Sequence, residues 1–120
     1  MSVSRDGGET WSAVAETNFK MAESKAYAGT LSTGQRYIVC NSGNREFLIV
    51  AVGRPGAAVL SKAFMLRKGR VPARWPTHSK KPQWSYPWVV EHGGKLYVAY
   101  AAAKEDCEVI SVPVASLAVQ

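Results

Sequence analysis

Two stretches of this chain are echoed later in the same order. VSRDGGETWS at 3–12 aligns without gaps to VGRPGAAVLS at 52–61, so that Val3, Arg5, Gly7 and Ser12 recur as Val52, Arg54, Gly56 and Ser61, about 49 residues on. TGQRYIV at 33–39 returns as GGKLYVA at 93–99, with Gly34 meeting Gly94 and Tyr37 meeting Tyr97, about 60 residues on. A recurring unit of this size is a supersecondary module that cannot bury its apolar face alone and stacks on its neighbours. The longer second offset points to extra residues in 68–83, which are rich in Pro and Lys and read as a long loop.

The unit is built of strands. Helical periodicity is weak, whereas short runs of period two are strong. RYIVCN, EFLIVAV, KLYVAY and EVISVPV read as strands, each bounded by Gly, Pro, Asn or Asp; AVAETNF at 13–19 and AVLSKAFML at 58–66 are further strand candidates. STGQ and EHGGK are hairpin turns in which glycine supplies positive φ. Four short strands in roughly 40–60 residues is the size of a β-propeller blade. The expectation is all-β, about nine antiparallel strands, and roughly two blades of a β-propeller. The end of one blade spans 1–20, a full four-stranded blade 21–67, a loop 68–82, and a last, incomplete three-stranded blade 83–120.

Charge narrows the partners. The net charge of +6 and pI near 9.6 suit an anion such as a carboxylated sugar, a phosphate or a nucleic acid, or else mark a basic, solvated surface. Lys and Arg concentrate at 62–81 beside Pro and Trp, the make-up of a solvated loop or of a basic, aromatic nucleic-acid groove. The loop is the preferred reading, so a nucleic-acid partner is not expected. No apolar run is long enough to span a membrane, and the N-terminus has neither the basic nor the apolar region of a signal peptide. Cys40 and Cys107 read as free thiols; His78 and His92 have no companions at metal spacing, so neither metal nor cofactor is expected. No Ser-His-Asp context and no phosphate loop is present.

Ser4-Arg5-Asp6-Gly7-Gly8-Glu9-Thr10-Trp11 fits S-x-D-x-G-x-x-W. Asp6 can accept backbone N–H bonds of its own turn, Gly7 and Gly8 permit φ values closed to other residues, and Trp11 is expected to fold beneath the hairpin. In the later copy, Pro55 and Leu60 replace the Asp and the Trp. After the motif come Gly34-Gln35-Arg36-Tyr37-Ile38, then Asn41 to Leu48 with Arg45 at its centre, then Ser85-Tyr86-Pro87, and a hairpin from Leu96 to Tyr100. This ordered set resembles the C-terminal part of a BNR-repeat, sialidase-like β-propeller, and S-x-D-x-G-x-x-W is that family's Asp-box.

The resemblance implies that the Asp-box (Ser4, Asp6, Gly8, Trp11) is structural, joins the third and fourth strands of a blade and lies remote from catalysis. Sialidases grip the sugar carboxylate with three arginines, and Arg45 matches the third; the alternative is a surface arginine at a strand start. The family nucleophile is a tyrosine on the first strand of the last blade, and Tyr86 matches it; the alternative is a packed strand tyrosine. Pro87 stands where many sialidases have Ser. Lys25 could support an anion near the propeller axis, and Tyr27 reads as the blade counterpart of Tyr86. The family's other two arginines, its acid/base aspartate and the glutamate that activates the tyrosine belong before the Asp-box; neither Glu16 nor Glu23 matches.

Two functions follow. One is a fragment of a sialidase-like, retaining glycoside hydrolase that acts on or binds sialic acid or other terminal acidic glycans and is inactive alone. The other is a non-catalytic propeller module for glycan or protein binding. Relatives of this kind are often secreted or periplasmic. Two blades cannot close a ring, so self-association is expected.

Overall fold

A computed structural model describes residues 1–75, 77–78 and 81–120. Pro76, Ser79 and Lys80 of the basic stretch lie outside the described residues. Among the described residues there are seven strands and no α-helix. Four form one antiparallel sheet in the order β1 (Tyr27–Thr30), β2 (Gln35–Asn41), β3 (Phe47–Pro55) and β4 (Leu60–Lys68). Three form a second, β5 (Trp84–His92), β6 (Lys95–Ala102) and β7 (Asp106–Pro113), followed by a 3-10 turn at Val114–Leu117. Each sheet is a meander whose strands follow chain order, the form of a propeller blade.

The echoes are conformational as well as textual. Gly34 and Gly94 occupy the first hairpin turn of their sheets with φ of 79° and 73°. Gly7 and Gly56 carry φ of 75° and 74°, values that L side chains rarely adopt. The degenerate box copy falls between β3 and β4, the third-to-fourth strand turn.

One face of each sheet meets the other. Tyr37, Val39, Val50 and Val52 pack against Val89, Leu96, Val98 and Tyr100, with Leu117 closing the cluster. Each buried aliphatic side chain of this kind contributes about 1.5–3 kcal/mol. β3 is buried on both faces because its FLIVAV run is continuously apolar. Asn18 Nδ2 donates to the Leu60 carbonyl at 3.0 Å and the Ala22 amide to the Asn41 carbonyl at 2.9 Å, laying this segment along the first sheet.

Polar ties join the sheets at both ends. At one, wholly buried Asn41 donates to the Trp84 carbonyl at 2.8 Å, and the Trp84 amide donates to the Arg45 carbonyl at 2.9 Å. At the other, the Ser32 amide donates to Glu91 at 2.8 Å, and buried Gln35 donates to the Leu117 carbonyl at 3.0 Å.

Three expectations are corrected. The arms of the Asp-box hairpin, including 13–19, are not strands: their amides make isolated bonds, Ser12 to the Val3 carbonyl and Ala15 to Met1, and no third strand of the described residues supports them. Trp11 is 64% exposed rather than tucked under, because its hairpin has no neighbouring sheet to cover the ring. Tyr27 is not the register counterpart of Tyr86. It lies opposite Val39, whose echo Ala99 lies opposite Trp88.

Candidate anion-binding site

Arg45 lies in the connection between β2 and β3, two residues before β3 begins at Phe47. Gly43 at φ 73° and the bond from the Glu46 amide to Asn44 Oδ1 (2.8 Å) shape that loop. The half-buried guanidinium is held at two points: Nη1 donates to Gln83 Oε1 at 3.0 Å and Nη2 to the Glu23 carbonyl at 2.9 Å. A cation fixed in this way has lost its rotamer freedom before any ligand arrives.

Tyr86 lies near the start of β5, where the register with β6 slips between Ser85 and Trp88. Pro87 has no N–H for the ladder, and a bulge is where a sheet tolerates it. Tyr86 takes φ 57°, an unusual conformation for an aromatic residue and one that re-aims it. Its ring is half-exposed while Pro87 and Ser85 are buried. The Ser85 hydroxyl is buried and has no hydrogen-bond partner among the described residues.

Arg45 and Tyr86 thus come from different sheets and sit at the same end of both. A third side chain, the second cation of the group, joins them: Lys104, in the turn between β6 and β7, sets its Nζ 5.6 Å from the centroid of the Tyr86 ring. The Lys104 ammonium first, and the Arg45 guanidinium after it, hold the Tyr86 phenol below its ordinary pKa. Beside them a cleft of about 430 Å3 is lined by Arg45, Lys104, Lys81, Gln83, Arg70 and Glu46. Arg70 is paired to Glu46 at 2.8 Å, so the cleft's remaining charge is positive and fits an oxyanion.

Lys25 does not join this group. Its Nζ lies 5.6 Å from the centroid of Trp88, two residues beyond Tyr86, and Tyr27 meets the same indole edge-on at 5.2 Å. Three arginines of the basic stretch stand in ion pairs: Arg67 with Glu108 at 3.7 Å, Arg70 with Glu46 at 2.8 Å and Arg74 with Asp106 at 2.8 Å.

The Asp-box closes on itself. Ser4 Oγ donates to Asp6 at 2.7 Å and accepts from the Gly8 amide at 2.8 Å; Asp6 accepts from the Thr10 amide at 3.0 Å and from the Thr10 hydroxyl. The Thr10 hydroxyl foremost, with the Thr10 amide and Ser4, holds the Asp6 carboxyl well below the usual carboxylate range. Trp11 Nε1 donates to the Gly8 carbonyl at 3.1 Å. The degenerate copy lies across β3 from Arg45, at the opposite end of the strand.

A family model for the BNR repeat-like domain matches residues 1–98. The chain belongs to the BNR repeat-like family. No curated protein and no solved structure matches it. In this BNR repeat-like chain the matched segment carries the first echo whole, the second as far as Val98, and both Arg45 and Tyr86. Lys104 and Gln83 are the residues sequence reasoning does not reach. Lys104 lies beyond the matched segment, in AAAKED, a turn with no glycine to announce it. Gln83 follows the proline-rich loop and carries no motif. The one available signal is the basic residue in the tight turn opposite Ser-Tyr-Pro.

Proposed function

We propose that this chain supplies one side of a sialidase-like site for terminal acidic sugars, with Arg45 as a carboxylate ligand and Tyr86 as the nucleophile of a retaining glycoside hydrolase. The observation that carries the reading is the convergence of Arg45 and Tyr86, from two sheets, at one end of the fold. A planar guanidinium fixed by Gln83 and Glu23 offers a fork to a carboxylate. The phenol oxygen would form a bond to the anomeric carbon as the glycosidic bond breaks. An uncharged phenol approaches an anionic sugar without the repulsion a carboxylate nucleophile would meet. The two proton transfers of that reaction need acids and bases beyond the set assembled here, so no turnover is expected of residues 1–120 alone.

A second reading, a non-catalytic glycan-binding module, is favoured by the charges around Tyr86: those of the described residues that act on the phenol, Lys104 and Arg45, are cations, and neither can take its proton. Binding of N-acetylneuraminic acid, followed by NMR, tests the shared core of both readings. Arg45→Ala should abolish the response and Tyr86→Phe, which keeps the ring, should retain it. An unchanged response in Arg45→Ala would overturn the assignment.

A further inference from the structure

The turn between β6 and β7 is the strained element nearest the site. Ala103 and Lys104 are consecutive non-glycine residues at φ 53° and 59°. Two successive positive φ values define the tight hairpin turn that strongly prefers Asn-Gly or Gly-Gly. Ala and Lys are poor choices for it, and such a conformation persists only where the surroundings enforce it. They do so here. The Ala103 amide donates to the Gln83 carbonyl at 2.9 Å, and Ala103 is buried. The Glu105 amide returns to the Ala102 carbonyl at 3.0 Å, while the Glu105 carboxylate accepts the Arg74 and Trp75 amides at 2.7 and 2.9 Å. Gln83, which anchors the turn through its carbonyl, anchors Arg45 through its side chain at 3.0 Å. One residue therefore fixes both cations relative to each other.

We infer that Lys104 is a positioning residue of this site: the left-handed turn carries its ammonium onto the Tyr86 ring, beside Arg45, so that a cation stands ready for the charge the phenol oxygen acquires when it gives up its proton. The inference deepens the reading of Arg45 and Tyr86 given above and rests on it. A tyrosine re-aimed by a bulge, with a lysine delivered to it by an unfavourable turn, is more construction than surface packing needs. Among the described residues the charged groups facing the phenol come from two elements, Lys104 from the β6–β7 turn and Arg45 from the β2–β3 loop. Lys104 offsets the negative charge that an ionised phenol would set against a bound carboxylate. In the cleft it leaves Arg45 and Lys81 to the ligand.

The test is the titration of Tyr86 itself, read from the Cζ resonance of the full chain labelled with 13Cζ-tyrosine and assigned by Tyr86→Phe. Lys104→Gly removes the ammonium while suiting the positive φ, so it does not strain the turn. Lys104→Arg keeps the charge. The Tyr86 midpoint should move to higher pH in Lys104→Gly and stay near the native one in Lys104→Arg. Salt should move the native midpoint toward that of Lys104→Gly, because an exposed pair is screened. Coincident midpoints in native protein and Lys104→Gly, with native amide spectra in both, would overturn the inference. N-acetylneuraminic acid binding is measured separately. A shifted midpoint without binding would uphold Lys104's role and reject the acidic-sugar reading, and binding with coincident midpoints would do the reverse.

Discussion

Asn41, wholly buried at the end of β2, donates from one side-chain nitrogen to the carbonyls of Trp84 at 2.8 Å and Phe47 at 3.1 Å, joining the start of the second sheet to the first. Its Oδ1 accepts from Ser24 Oγ at 2.9 Å. Asn41→Ala strands these groups in the interior, where an unsatisfied polar group costs about 1–3 kcal/mol. Urea unfolding should show a loss in that range, and a change under about 0.5 kcal/mol, the scale of neutral surface substitutions, would mean that the sheets dock without this tie.

Gly53 is the echo of Ser4, yet it serves a different end. A Cβ there would stand 2.6 Å from the Val59 carbonyl oxygen, a backbone atom of the β3–β4 turn. Gly53→Ala should destabilise by about 1–3 kcal/mol, the usual cost of forcing atoms into packed structure. Gly43→Ala, which meets no atom within 4 Å but sits at φ 73°, gives the contrasting case of backbone strain alone. Thermal unfolding of both variants checks the assignment; a stable Gly53→Ala protein would contradict it.

Burial foremost raises the phenols of Tyr37 and Tyr100 to about 12 and the thiol of Cys40 to about 11. The ordinary values are 10.0 for tyrosine and 9.0 for cysteine. Folded values above unfolded ones mean that the stabilising contribution is complete below pH 9 and is lost as pH rises through 9 to 12. Denaturant midpoints should therefore fall steadily across that window, and Tyr37→Phe should flatten the upper part. A midpoint that holds constant to pH 12 would contradict the burial of these groups. In the folded protein at pH 8, only exposed Cys107 should react readily with a thiol reagent, and Cys40 on unfolding.

The fold was legible where local chemistry dictates conformation. Gly34 and Gly94, and Gly7 and Gly56, share φ because the same turns demand them, and the runs RYIVCN, EFLIVAV, KLYVAY and EVISVPV alternate or stay apolar as strands must. What failed depended on neighbours. Trp11 carries the Asp-box signature, but its burial needs a sheet beside the hairpin, and AVAETNF needs a strand to pair with. Tyr27 and Tyr86 both lie near the start of a first strand, and the bulge at Pro87 moves the register to Trp88. Arg45 and Tyr86 were reached through the resemblance, whereas Lys104 enters the site only because an unfavourable turn points it there.

The same register makes Tyr97 the counterpart of Tyr37. Tyr37 is 7% exposed under the second sheet, whereas Tyr97 is 37% exposed on a face it shares with Trp88, Val90 and Val109. By the logic of the repeat this face is shaped for another sheet of the same kind, and a second copy of the chain can supply one. Sedimentation of the isolated chain should give a mass above 13.0 kDa that rises with concentration. A monomer at tens of micromolar (roughly, given typical interface strengths) would show that the face tolerates water.

Recognition of a carboxylate is the role proposed for the Arg45–Tyr86 end. The most direct measurement compares N-acetylneuraminic acid with its uncharged methyl ester by chemical-shift mapping of the full chain. The acid should perturb Arg45, Gln83, Tyr86 and Lys104, and the ester, which offers no charge to the guanidinium, should leave them in place. Equal responses to acid and ester, or shifts confined to the Asp-box and the outer face of the second sheet, would contradict it.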